Sequence, residues 1–148
     1  MGGLTLDMGD AYQACGVEYH NSTELFQILA NGVDRTIGKG VTPATLTASR
    51  AIAEDALARL PQARIQRLDA AWLIDETAQT ARMLIHACNR GIAMLDGGIT
   101  NPTRRRTLAR EMDAVMTGHE RVWLRRNRPG GLCDSLDRMA RRRAEYTD

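Results

Sequence analysis

Apolar side chains recur along this chain at three- and four-residue steps, the period of an α-helix, and almost nowhere alternate as a strand requires. One clear stripe is Ile74, Ala78, Ala81, Ile85, Cys88, Ile92 and Leu95, which share one face of a predicted helix over roughly residues 63–96. Leu108, Met112, Val115, Met116, His119, Val122 and Trp123 define a second stripe on the next helix. The polar and breaking residues between stripes supply the boundaries. Gly16 stops a first helix over 3–15, and Asn21 with Glu24 three residues on reads as a capping box for a short helix closed by Gly32. Thr42-Pro43 puts a cap and a first-turn proline at the head of a third helix, which runs to Leu60 before Pro61; Asn101-Pro102 opens the fifth in the same way. A sixth occupies roughly 133–145. Only GKGVT, residues 38–42, hints at a strand. The connections are short, so successive helices should lie antiparallel as neighbours. The expectation is an all-α, about six-helix bundle without substantial sheet, forming a single helical domain over residues 1–148.

Charge and cysteine content narrow the class. The formal net charge is +2, small for a polyanion-binding protein, although residues 101–148 carry 12 basic and 7 acidic side chains against 8 and 11 in residues 1–100. Cys15, Cys88 and Cys133 are odd in number and fit no metal-ligand spacing, which suggests reduced, core-filling thiols. No basic leader or membrane-length apolar run is expected, and the localisation this implies is cytoplasmic.

The titratable residues offer little local chemistry. Asp75-Glu76 is the most suggestive pair, because adjacent carboxylates can divide acid and orienting roles when their surroundings separate their pKa values. On a helix, however, the two project about 100° apart, so solvated or hydrogen-bonding carboxylates are expected. His20, His86 and His119 have no second ligand at three or four residues' distance and no serine paired by local motif. No catalytic residue, metal site or cofactor is therefore expected. The arginine runs 104–106 and 141–143 point around their helices rather than along one face, which makes nucleic acid an unlikely partner.

The stretch WLRRNRPGGL, residues 123–132, is more distinctive. Arg125 and Arg126 put cations on the last turn of the fifth helix, Asn127 suits a left-handed residue after it, Pro129 forbids continuation, and Gly130-Gly131 turn the chain. Trp123 should anchor that helix in the core. Arg125, Arg126, Asn127, Arg128, Gly130 and Gly131 also offer convergent guanidiniums and free backbone N–H groups for hydroxyls or anions, and form the candidate ligand- or partner-facing surface.

The run HERVWLRRNRPGGLCDSLDRM resembles the end of bacterial glycoside hydrolase family 20 proteins, the β-N-acetylhexosaminidases, in members with a helical region after the catalytic barrel. Trp123, Leu124, Asn127, Arg128, Pro129, Gly130, Gly131, Leu132, Asp134 and Ser135 match that pattern, and LDMGDAYQACGVEYHNSTELFQIL near the start is similar to another segment of the family. The family's chemistry uses an Asp-Glu pair preceded by His-x-Gly-Gly at a strand end of a (β/α)8 barrel. Asp75-Glu76 follows Ala71-Trp72-Leu73-Ile74 and is not that pair, and a barrel takes about 250 residues. The resemblance implies a non-catalytic accessory domain or fragment whose partner is a catalytic glycosidase barrel or another copy of the chain, with a carbohydrate as the associated ligand. Two alternatives stand beside it: a free-standing interaction or regulatory protein that binds nucleic acid weakly through its basic C-terminal part, and a small enzyme built on Asp75, Glu76 or His119.

Overall fold

The computed structural model describes residues 23–31 and 40–147, and these form five helices with no strand among them. Helix α1 comprises Glu24–Phe26 and a π-helical continuation, Gln27–Asn31; α2 is Pro43–Arg59, α3 Ala70–Leu95, α4 Pro102–Arg126 and α5 Leu132–Ala144. Short 3-10 turns at Leu60–Gln62 and Gly98–Thr100 make two of the connections. The all-α expectation is met, with five helices in place of about six. The predicted first helix over 3–15, with Cys15, Gly16, His20 and Asn21, lies outside the described residues.

Capping residues explain most of the boundaries. The Thr42 side chain accepts a hydrogen bond from Thr45 N at 3.1 Å while Thr45 Oγ1 accepts from Thr42 N at 2.9 Å, and Pro43 supplies a first-turn residue that lacks only an unneeded donor. Asn101 Oδ1 accepts from both Thr103 N and Arg104 N ahead of Pro102. At α1 the cap is Thr23, whose hydroxyl accepts from Phe26 N, rather than the expected Asn21.

Helix α3 begins at Ala70, seven residues later than periodicity suggests. Leu68 is fully exposed, so an extension through 63–69 would have no face to bury, and helix stability in proteins comes mostly from such burial. The Asp69 carboxylate does not cap the helix. It accepts instead from Arg67 Nε at 2.9 Å and from Arg126 Nη2 at 3.0 Å.

Helix α3 is the centre of the bundle, with α2 and α4 packed along it and α1 against it. It is buried on a wider arc than a single stripe: Ala78, Ala81, Leu84, Ala87, Cys88 and Ala93 are all in the core. Its alanines let the neighbouring helices approach closely. From α2 come Leu46, Ala53 and Ala56, and from α4 Leu108, Met112 and Val115. Helix α4 runs antiparallel to α3, as the ties Asp96–Arg104, His86–Glu111, Gln79–Val115 and Asp75–Arg121 record in order. Helix α5 returns along α4 and adds Leu132 and Met139 to the core. Cys88 is a buried core thiol, with burial pushing it up to about 12, whereas Cys133 is exposed, contrary to a core-filling role. No helix among the described residues is long and apolar enough to cross a membrane.

Candidate functional site

The predicted surface lies where the last turns of α4 meet the first turns of α3. Arg125 and Arg126 do more there than face their own helix's carbonyls. Arg125 and Arg121 both bind the Asp75 carboxylate, and Arg126 binds Glu76 and Asp69 while its guanidinium stands 5.6 Å from the centre of the Trp72 ring. Asp75-Glu76 is thus one side of an interhelical ion-pair ladder, which fits carboxylates in structural use. The hydrogen bond from Arg121, with a further one from Arg125, holds Asp75 down to about 2 against an ordinary 3.8, burial opposing them.

A carboxyl group depressed by folding stabilises the fold above its unfolded pKa, and that contribution disappears as pH falls through the folded value. Asp75→Asn should therefore lower the urea midpoint near neutral pH, and the gap from wild type should close between about pH 4 and about pH 2. Urea melts of both chains across that range check this. A gap that stays constant with pH would mean the ladder contributes no charge-dependent stability.

Beyond Arg126 the chain turns tightly. Asn127 is extended, at φ −116° and ψ 156°, rather than left-handed, and Gly131, at φ +81°, takes the left-handed conformation just before α5. The reason is the Trp123 indole: its Nε1 donates to Arg128 O at 2.9 Å, drawing the chain back over the ring, and the ring lies under Gly131. Trp123 is accordingly half-buried, tilted against His119 at 5.6 Å, and not the fully buried anchor that its stripe suggested. Gly130 and Arg128 are exposed, and the Arg128 side chain has no ion pair among the described residues. On the two helices that meet here, α3 and α4, two large apolar side chains stand partly in water, Trp72 at 46% and Leu124 at 48% exposure.

His119 and Ser135, unconnected in sequence, are brought together across α4 and α5, with Ser135 Oγ 3.0 Å from His119 Nε2. Burial lowers the His119 pKa, which favours its uncharged form. His119 also edges a cavity of about 310 Å3 between α1, α3 and α4, lined mainly by apolar residues such as Leu25, Met83 and Val122. Among the described residues no carboxylate orients this histidine, so the pair lacks the third member of a nucleophilic triad.

The largest constellation that sequence reasoning missed is buried. Arg90, 1% exposed, donates from Nε to Ile28 O at 2.9 Å, from Nη1 to the Tyr146 hydroxyl at 3.3 Å and from Nη2 to Glu145 Oε2 at 2.6 Å. His86, equally buried, places Nε2 3.1 Å from the same hydroxyl and Nδ1 3.1 Å from Glu111 Oε2. One assignment satisfies every group: Nδ1–H donates to the carboxylate, and the Tyr146 hydroxyl donates to Nε2 while accepting from Arg90. Asn89 also donates to Glu111 and accepts from Arg50. Burial pushes Tyr146 up; Glu111 is raised by burial, but the hydrogen bonds from His86 and Asn89 outweigh it and hold the carboxylate down. The network clamps α1, α3, α4 and the C-terminal turn, and its inner groups are closed to solvent. Its sequence signal is an arginine in the middle of the apolar α3, four residues after a histidine.

Neither the candidate surface nor this network forms a metal-binding group, and no cluster of three His, Cys, Asp or Glu suited to a metal occurs among the described residues. The two arginine runs are largely engaged within the fold: Arg104 with Asp96, Arg105 with the Tyr146 carbonyl, Arg106 with Thr103, Arg142 with Glu145 and Arg143 with Asp113. No protein-family model, no curated protein and no solved structure matches the chain.

Proposed function

We propose that this chain is a non-catalytic helical accessory domain of the glycoside hydrolase family 20 kind, acting in the cytoplasm by packing against a catalytic barrel. The observation that carries the proposal is the coincidence of two features at one end of the bundle. The residues that resemble the family's motif, Trp123, Leu124, Asn127 and Arg128, flank Arg126, whose guanidinium stands over the exposed Trp72 ring and bridges the two helices. Tryptophan, arginine and leucine grouped on a rigid, ion-paired frame make a good docking surface, since ordered aromatic and arginine side chains lose little freedom on binding. The nucleic-acid alternative is less well supported, because most of the guanidiniums in the arginine runs already have partners within the fold.

The test combines docking with activity. Mixed with a purified family 20 catalytic barrel that lacks its own helical region, the chain should comigrate on size exclusion. The double variant Trp72→Ala/Leu124→Ala should not, each truncation costing about 2 kcal/mol or more if the residues are hot spots. The chain alone should leave chromogenic N-acetylglucosaminides and N-acetylgalactosaminides intact. Hydrolysis abolished by Glu76→Gln, or comigration indifferent to the double variant, would refute the proposal.

A further inference from the structure

The cavity beside His119, of about 310 Å3, has room for about ten groups the size of a water molecule and is partly open to solvent. Leu25 and Leu29 of α1, both almost fully buried, close its inner end. Met83 of α3 and Val122 of α4 keep part of their surface exposed and form its reachable apolar sides. Met83 is unbranched and polarizable, so it adjusts readily to the shape of a guest. Water in this space faces mostly hydrocarbon, and displacing such poorly held water with an apolar group is favourable.

The lining selects an uncharged ligand. Its one carboxylate among the described residues, Glu76, is bound by Arg126, and no cation lines the cavity. An anion would find no partner, and an ammonium group would have to displace Arg126. One polar group on the lining has unused capacity. His119 is partly exposed and engages Ser135 through Nε2 at 3.0 Å, while its Nδ1 has no hydrogen-bond partner among the described residues. The Ser135 hydroxyl either donates to Nε2 or accepts from it, which leaves Nδ1 a donor in the first case and an acceptor in the second. A ligand hydroxyl matches both tautomers, whereas a carbonyl matches one.

We propose that this cavity binds a small uncharged alcohol or phenol of about ten heavy atoms, its hydrocarbon body between Met83 and Val122 and its hydroxyl on His119 Nδ1. The inference is independent of the docking proposal.

NMR titration of the whole chain tests it, with para-ethylphenol, para-ethylbenzoate and para-ethylbenzylamine as the probes. The phenol should bind, with Kd of about 0.1–1 mM for so small a ligand. The benzoate and the protonated amine, similar in shape but charged, should bind at least about tenfold more weakly, because a charge without a free partner resists burial. At saturation with the phenol the Met83 methyl signal, identified by its loss in Met83→Leu, should move more than that of Met112. The His119 Nδ1 resonance, identified through His119→Gln, should move with it as the hydroxyl bond forms. Val122→Phe fills the space and should weaken the phenol at least about tenfold, with a urea melt showing that the variant is folded. Absence of phenol binding up to about 10 mM would overturn the proposal. So would either ion binding as tightly as the phenol, a Met83 or His119 signal that stays in place at saturation, or unchanged binding in folded Val122→Phe. The ligand series uses the unmodified chain, so it decides the matter even if the variant does not fold.

Discussion

Replacing Arg90 with methionine should destabilise the fold by about 2–4 kcal/mol, the cost of leaving two buried acceptors short of a donor at about 1–3 kcal/mol each. Domains of this size are stable by only about 5–15 kcal/mol, so the variant would lose a large share of its margin. The reason lies in what remains. Ile28 O would lose its donor and the Tyr146 hydroxyl one of its two partners, while the partly exposed Glu145 would keep Arg142 and water. Unsatisfied buried groups cost more to leave than the bonds contribute when made. Tyr146→Phe should cost about 1–2 kcal/mol by itself and should reduce the further cost of Arg90→Met, because the two side chains share one bond. Urea melts of wild type, both single variants and the double variant close this cycle. If Arg90→Met falls within about 1 kcal/mol of wild type, water replaces the lost donors and the clamp is not a structural tie.

Met112→Ala should cost about 2–5 kcal/mol through loss of buried apolar surface and the cavity left behind. Met112 is fully buried and stands on α4 between Leu108 and Val115, against the alanine-rich face of α3. Those alanines have no flexible ends to move into the space, so little relaxation should offset the loss. A urea melt measures it, and a cost below about 1 kcal/mol would show that the bundle closes around the gap.

These two residues show how far the chain could be read without coordinates. Met112 belongs to a stripe that periodicity reveals, and the stripe's burial follows from the helix repeat alone. Arg90 lies on the side of α3 opposite its predicted apolar stripe, and its partners are 55, 56 and 62 residues away in sequence. Nothing local says that an arginine among apolar residues will meet a backbone carbonyl, a tyrosine and a glutamate rather than water. The candidate surface divides in the same manner. The stop at Asn127 and the turn through Gly130-Gly131 were legible from residue type, but the left-handed residue is Gly131, because the Trp123 indole draws the chain back onto itself. The use of Arg125 and Arg126 was hidden too, since their acids lie about fifty residues earlier on another helix.

By itself, then, the order of residues determined the helical class, the caps at Thr42 and Asn101 with their prolines, and the apolar faces of α3 and α4. Each is set within a few residues by backbone geometry, side-chain hydrogen bonding and a 3.6-residue repeat. Only the tertiary structure decided that α3 is buried on a wide arc, that its first turn waits until Ala70, and that Asp75-Glu76 ends in an ion-pair ladder. It alone seated Arg90 and His86 around Tyr146 and left Trp72 and Leu124 in water. Those outcomes depend on which charged and apolar groups meet across helices, and that is fixed by packing geometry, where desolvation and pairing are settled together.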